Sequence, residues 1–292
     1  MKVYVASKKP SVLDFSFNKK IIIEELKKAG ATGCDAFVTS ELFLTGYPIE
    51  DRIFFSNFQE KVETEIKDIL EESRKYPEIF LLIGSPIFKK EGIFNGVLVI
   101  KNGTILNKIL KSSLPNYGVF DEKRYFKHET DLQIVQIKGR GVLIAICEDI
   151  WNTDYVKKTI CLKPDLVIVL NASPFEKGKF EKRLEKARQF KTPIIYVNQI
   201  LGYDELVFEG GSFALNKKGE LTHLFPFFKE ASGVMKPFTS TTFPLQTPQV
   251  YDALVFGLQE YVRQNPSNGL LVGLSGGIDS ALVSKIAIDA IG

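Results

Sequence analysis

The sequence predicts an α/β protein built on a mixed sheet, and three observations carry that expectation. Short apolar runs rich in β-branched residues alternate with longer stretches of helical periodicity, the pattern of parallel strand–helix units. Two turn signals, Asn102-Gly103 and Lys218-Gly219, each lie between apolar runs, so hairpins interrupt the parallel pattern. A chain of 292 residues, 45% hydrophobic and 25% charged, has room for one large domain and part of another.

In chain order, "KVYVAS", "CDAFVTS" and "IFLLIG" read as buried strands, because their apolar residues are nearly continuous. Asn18 to Ala29 reads as a helix, with Asn18 as N-cap and Gly30 just past its end. Asn57 to Lys75 has helical composition, and "VLVIKNGTIL" forms the first hairpin. "LIAIC", "DLVIVLN" and "IIYVN" are further strands, Lys177 to Phe190 is a further helix, and "FALNKKGELTHL" is the second hairpin. "GCDAFVTSE" and "KPDLVIVLNAS" share an Asp, an apolar strand and a polar residue at the strand's carboxyl end. Ligands bind at that end in open α/β sheets, so Glu41, Cys147 and Ser173 are expected along one edge. From Lys229 to Val250, three prolines and six Ser or Thr residues read as a linker. A helix, "VYDALVFGLQEYVRQN", a strand, "GLLVGL", a turn, "SGGIDS", and a helix from Ile278 are expected after it.

Composition excludes several function classes. A net charge of +3 is too small for nucleic-acid binding by bulk electrostatics. "MKVYVAS" lacks the apolar core of a signal peptide and no apolar run has the length of a membrane span, so no membrane partner is expected. Cys34, Cys147 and Cys161 are odd in number and scattered, which fits a cytoplasmic protein without disulfides. No cysteine pair has metal-ligand spacing, so no metal ligands are expected from these side chains. His128 lies in a polar loop and His223 on an expected strand, so histidine catalysis is not expected either.

"GVLIAICEDIW" is the stretch that asks for chemistry. A buried strand ends in Cys147, with Glu148 and Asp149 directly after it. Neighbouring negative charge discourages a thiolate, so either Cys147 is a core residue or a distant cation compensates. A cysteine nucleophile without histidine needs another base and another oxyanion stabiliser. "SELFLTGYP" puts Glu41 immediately after a buried strand, and "KSSLPNYGVFDEKRYF" puts Lys111 before a Pro-Asn-Tyr-Gly turn.

These motifs resemble the nitrilase superfamily, whose triad is Glu, Lys and Cys in that chain order. More narrowly, "ELFLTGYP", "LPNYGVFDEKRYF", "ICEDIW" and "NASPFEKGK" resemble, in order, the motifs of the amidase domain of glutamine-dependent NAD synthetases. The resemblance implies a nitrilase-like αββα sandwich with Glu41, Lys111 and Cys147 as catalytic residues. Glu41 would take the thiol proton and later activate water. Lys111, kept cationic by Glu41 and Glu122, would offset the acids and meet the oxyanion together with the Glu148 N–H. The resemblance further implies glutamine contacts from Tyr117, Glu148, Ser173 and Lys179, with Glu148 on the α-ammonium and Lys179 near the α-carboxylate. Tyr47 would support the site. Ser40 stands where relatives often have proline, and Phe43 lies inside the glutamate loop; neither touches this chemistry. Taken alone, the Glu176 to Lys191 helix, with seven basic and three acidic residues, reads as a solvated face. Cys34 and Cys161 are assigned to structure.

Near the end, "LLVGLSGGIDS" combines a strand, a glycine turn and a helix start, which suits phosphate binding by backbone N–H groups. Without Gly-Lys-Ser/Thr it is not a Walker A loop. It resembles the pyrophosphate loop of ATP pyrophosphatases, which implies that Ser275, Gly276, Gly277, Asp279 and Ser280 bind nucleotide.

The implied organisation is a glutamine amidohydrolase over residues 1–240, then a linker and the truncated start of a Rossmann-like ATP-pyrophosphatase domain over 241–292. The implied reaction is glutamine hydrolysis through a Cys147 thioester, with no cofactor for that half. Ammonia would pass by an enclosed route to amidate deamido-NAD, with ATP and Mg2+ serving the synthetase half. Partners are then L-glutamine, deamido-NAD, ATP and further copies of the chain in a homo-oligomer. Segments below about 40 residues rarely fold alone, so the chain is expected to release ammonia but not to make NAD. Two alternatives stand beside this reading. A stand-alone nitrilase-type amidase is disfavoured by the SGGIDS turn. A silent amidase-like oligomerisation module is disfavoured by the intact Glu41, Lys111 and Cys147.

Overall fold

A computed structural model describes all 292 residues. The first half builds β1 (Val3–Ser7), α1 (Phe15–Gly30), β2 (Ala36–Val38), α2 (Phe58–Ser73), β3 (Phe80–Lys89), β4 (Gly92–Lys101) and β5 (Thr104–Leu110). There follow β6 (Ile134–Ile137), β7 (Arg140–Ile146), α3 (Thr153–Leu162), β8 (Leu166–Asn171), α4 (Lys179–Arg188) and β9 (Ile194–Asn198). The rest comprises β10 (Ile200–Tyr203), β11 (Leu206–Glu209), β12 (Phe213–Leu215), β13 (Leu221–Leu224), β14 (Ala231–Met235), α5 (Val250–Gln264) and α6 (Ile278–Ile291).

Two six-stranded sheets result, ordered β14-β1-β2-β3-β4-β5 and β13-β12-β9-β8-β7-β6. In each, the central strands pair in parallel, β1-β2-β3 and β7-β8-β9, and antiparallel strands extend the edges. Strand side chains alternate between faces, so each strand feeds two cores. Val3, Val5, Val38 and Leu82 meet Val142, Ile144, Ile168 and Val197 between the sheets. Tyr4, Phe37 and Leu81 turn the other way and pack with Ile22 and Leu26 of α1 and Val62 of α2. Leu143, Val167 and Val169 likewise pack with Tyr155 of α3 and Phe180 and Leu184 of α4. The order of layers is therefore helix, sheet, sheet, helix, the αββα sandwich expected. Full burial of each such aliphatic side chain is worth about 1.5–3 kcal/mol, which explains why near-continuous apolar strands lie innermost.

Four local expectations need correction. The N-cap of α1 is Asp14, whose carboxylate accepts from the Phe17 N–H at 3.0 Å. Asn18 is buried inside the helix, where its amide donates to the carbonyls of Ser11 and Leu44. Gly30 is the last helical residue rather than the one beyond. The stretch read wholly as linker contains β14, which pairs antiparallel with β1 over Ala231–Met235 and closes the first sheet. "GLLVGL" is not a strand: no strand lies beside it to take up its backbone hydrogen bonds, and Leu271 is fully exposed.

Helices α5 and α6 pack on each other, and α5 rests on the β10–β11 ribbon. The contact is close because Gly202 lacks a side chain; a Cβ there would lie 2.6 Å from the Cβ of Glu260. Residues after Val250 thus form a docked helical pair and not a separate sheet-based domain. No helix is long and apolar enough to cross a membrane.

Candidate active site

The carboxyl ends of β2, β7 and β8 lie at one end of the sandwich, and the loops that leave them converge. Glu41 follows β2 in a turn where Leu42 has φ +46°. That turn presses so tightly on β3 that a Cβ at Gly84 would meet the Ser40 carbonyl at 2.3 Å. Glu41 is buried, and its Oε2 accepts from the Ala172 N–H at 2.8 Å, across from the second sheet. Its Oε1 accepts from Asn95 Nδ2 at 2.7 Å and from Lys111 Nζ at 2.6 Å.

Lys111 follows β5 and has no solvent exposure. Besides Glu41, its ammonium donates to both oxygens of Glu122, at 3.0 and 2.9 Å. Tyr47 donates to Glu122 from its hydroxyl at 3.0 Å. Burial works against the Lys111 charge, yet Glu122 and Glu41 outweigh it and hold the ammonium well above the ordinary lysine pKa. Burial pushes Glu122 up to about 7; Lys111 opposes this and Glu41 adds to it. The carboxylates thus favour the charged lysine, while burial favours the protonated form of Glu122.

Cys147 ends β7 and opens a short 3-10 turn, Cys147–Trp151. Its φ of +44° lies in the left-handed region, which costs a non-glycine residue on the order of 1–3 kcal/mol and clusters at functional sites. The side chain is partly exposed. Burial of the thiol raises its pKa well above the ordinary cysteine value, Glu41, Glu122 and Glu148 push the same way, and Lys111 opposes them. Burial and the surrounding carboxylates thus favour the neutral thiol, which needs a base to react.

The remaining expected contacts ring this centre. Tyr117 donates to Glu148 at 2.9 Å, so the exposed tip of the 112–121 loop closes over the cysteine turn. Burial raises the Glu148 pKa, and the Tyr117 hydrogen bond resists. Ser173, after β8, is buried, and its N–H donates to Asn198 Oδ1 at 3.0 Å. Lys179 opens α4, and its pKa is lowered first by burial and then by the charge of Arg183; it lies near enough to Glu148 for its charge to act there. Cys34 is buried in the first core, and Cys161 is exposed on α3.

Three residues that sequence reasoning passed over complete the geometry. Asn95 of β4 links Glu41 to the backbone at Lys111, whose N–H donates to the Asn95 carbonyl at 2.9 Å. Asp149 is buried, and its Oδ1 accepts from the N–H groups of Ser112 and Ser113 at 3.0 and 2.7 Å. Its Oδ2 accepts from Ile146 N–H at 2.9 Å, so one carboxylate ties the lysine loop to the cysteine turn. Burial pushes Asp149 up to about 7 against these donors. Arg183, on α4, holds the Ser173 segment through three hydrogen bonds. The signals available were a lone amide in an apolar strand, an acid beside a strand-end cysteine and an arginine on a buried helix face.

At the other end of the chain, the Ser275–Ser280 turn is exposed and precedes α6, whose N-cap Gly277 provides no side-chain cap. Gly276 has φ +85°, and Ser280 Oγ accepts from the Ser275 N–H at 3.2 Å. Uncapped N–H groups at a helix start are suited to an anion.

Comparison with known proteins adds to this geometry. A family model described as carbon–nitrogen hydrolase matches residues 7–232, and one described as NAD synthase matches residues 250–292. The chain is 33% identical over 305 residues to the glutamine-dependent NAD(+) synthetase of Acinetobacter baylyi, covering 100% of this chain and 56% of the relative. It is also 33% identical over 340 residues to that of Thermotoga maritima, covering 100% of this chain and 58% of the relative. The chain spans about half the length of the curated relatives it matches. Among solved structures, the glutamine-dependent NAD+ synthetase of Acinetobacter baumannii in complex with ADP superposes with a TM-score of 0.89 at 34% identity, over 100% of this chain and 57% of that one. A nitrilase-superfamily amidase from Nesterenkonia superposes at 0.72 with 21% identity, over 80% of this chain and 89% of that one, a likeness of fold.

Proposed function

This chain belongs to the carbon–nitrogen hydrolase family, and from that premise we propose that Glu41, Lys111 and Cys147 hydrolyse L-glutamine through a cysteine thioester. The observation that carries the reading is the buried Lys111 ammonium held between Glu41 and Glu122, next to a strained and neutral thiol. Glu41 Oε2 has a single N–H donor on it and keeps capacity for a proton. In the first half-reaction it takes the Cys147 proton as the sulfur attacks the side-chain amide carbon. Lys111 and the Glu148 N–H stabilise the oxyanion. Collapse breaks the C–N bond, Glu41 returns its proton to nitrogen, and ammonia leaves behind a glutamyl thioester. Glu41 then takes a proton from water, whose oxygen attacks the thioester; glutamate leaves and the thiol is restored. Tyr117, Glu148, Ser173 and Lys179 supply the contacts to the α-amino and α-carboxylate groups.

The same reading extends to residues 241–292 as linker and N-terminal part of a synthetase, with residues 1–240 as the amidohydrolase. The similarity to NAD synthases over 250–292 and the ADP complex of the Acinetobacter baumannii relative support it. Ammonia would then displace AMP from adenylated deamido-NAD, with ATP and Mg2+ as the other reactants. In this chain Ser275, Gly276, Gly277 and Ser280 suit the phosphates, and Asp279 is the acidic residue of the turn. The deciding experiment incubates the chain with L-glutamine and measures glutamate, ammonia and a glutamyl adduct on Cys147 by mass spectrometry. All three are expected, and Cys147→Ala should abolish them while Cys34→Ala and Cys161→Ala hydrolyse nearly normally. Ammonia release surviving in Cys147→Ala would overturn the reading.

A further inference from the structure

We propose that Arg183 is a positioning residue of the glutamine site, fixing the wall that carries Ser173, with its own buried charge balanced by Glu209. The inference rests on the glutamine reading above. Residues 172–178 follow β8 without regular structure, so no ladder holds their shape. Arg183 supplies that hold. Its Nη2 donates to the Ser173 carbonyl at 2.9 Å, to Ser173 Oγ at 3.0 Å and to the Pro174 carbonyl at 2.9 Å. Asn198 Nδ2 braces the Ser173 carbonyl from the other side at 3.1 Å. A guanidinium only donates, so Ser173 Oγ is the acceptor of that bond and its rotamer is fixed by it.

Electrostatics explains the partner. Arg183 is 1% exposed, and an unpaired charge at that depth is not tolerated. Its Nη1 pairs with Glu209 of β11, which is equally buried. Lys179 stands one helical turn before Arg183 on the same face of α4, and the Arg183 charge depresses its pKa after burial has done so. The Lys179 ammonium makes no hydrogen bond and lies 4.0 Å from the exposed Glu176 carboxylate, so it is the less compensated of the two cations. Glu209 thus balances the buried guanidinium and lets Arg183 act as a fixed multidentate brace.

The test compares glutamine with propionamide, which has the amide but neither α-group, in Arg183→Lys and in the double variant Arg183→Met/Glu209→Met. Replacing both members of a buried pair by apolar side chains is commonly neutral for folding, so the double variant separates positioning from stability. For glutamine the KM should rise about tenfold or more with a smaller change in kcat, since contacts worth about 1.4 kcal/mol per decade are lost. The loss in kcat/KM should exceed that for propionamide by about tenfold. Arg183→Lys, which keeps the charge but one donor point, should fall between. Iodoacetamide alkylation of Cys147 reports the thiol separately and replaces the propionamide arm if that amide turns over too slowly to measure. Parallel losses on both amides, or an unmoved glutamine KM, would overturn the inference. If the double variant does not fold, Arg183→Lys alone decides by the same criteria. A wild-type chain inert toward glutamine would overturn the glutamine reading and this inference with it, whereas active wild type with unmoved variants overturns this inference alone.

Discussion

The Lys111 ammonium lies between two carboxylates at zero exposure, and the neighbouring thiol is held neutral by burial. At the residue scale the charge balance therefore depends on one side chain: two acids cannot both ionise beside a nucleophile without it. Lys111→Met should lower glutamine turnover by on the order of 10²–10³, the usual loss when one oxyanion donor goes. It should also cost about 3–5 kcal/mol, since two buried carboxylates lose their cation. Turnover at a temperature where circular dichroism shows the variant folded checks the first, and urea unfolding checks the second. A loss below tenfold in folded protein would mean that Lys111 serves the fold alone. The three catalytic candidates were legible in the sequence because a strand-end cysteine, a strand-end glutamate and a loop lysine each sit in an unusual motif. Asn95 and Arg183 were not, because what they do is set by residues far away in the chain.

Between residue and fold stands the Asp149 clasp, which joins the loop after β5 to the turn after β7. The carboxylate accepts N–H groups on both oxygens, from Ser112 and Ser113 on one side and Ile146 on the other. Asp149→Asn keeps one acceptor and turns an amide N–H2 toward the Ile146 donor. Stability should fall by about 1–3 kcal/mol, the cost of an unsatisfied buried donor, with glutamine turnover falling alongside. Urea unfolding at neutral pH measures this, and an unchanged midpoint would show that the clasp carries no energy. Read from sequence, Asp149 was only a negative charge next to a thiol, since backbone donors from a distant loop leave no trace in the local pattern. The misplaced cap of α1 has the same origin. Asn18 has the side chain of an N-cap, but the carbonyls of Ser11 and Leu44 recruit it inside the helix, and Asp14 caps instead.

For the whole molecule, folding buries Glu122 against Lys111 and Tyr47, and the protein's stability must register that titration. Glu122 moves from an ordinary value of 4.5 to about 7, so between those pH values the folded state binds more protons than the unfolded one. Its contribution must therefore weaken as pH rises through that window, by up to about 1.4 kcal/mol per pH unit. Urea unfolding of wild type and Glu122→Gln from pH 4.5 to 7.5 isolates the effect. The wild type should lose ground to the variant as pH increases, and a constant difference would contradict the assignment. The central parallel strands and the two hairpins were legible in the sequence itself, because near-continuous apolar runs and turn chemistry are local properties, whereas the αββα layering came from the resemblance of its motifs to the nitrilase superfamily. The tertiary structure alone decided that β14 completes the first sheet and that "GLLVGL" is not a strand, because a strand exists only where a neighbour takes up its hydrogen bonds. It also decided that Asn95 joins Lys111 on Glu41, and that Arg183 lies behind Ser173. Those pairings depend on which groups the facing sheet and its loops bring into the same desolvated space, and a one-dimensional pattern contains no such distance.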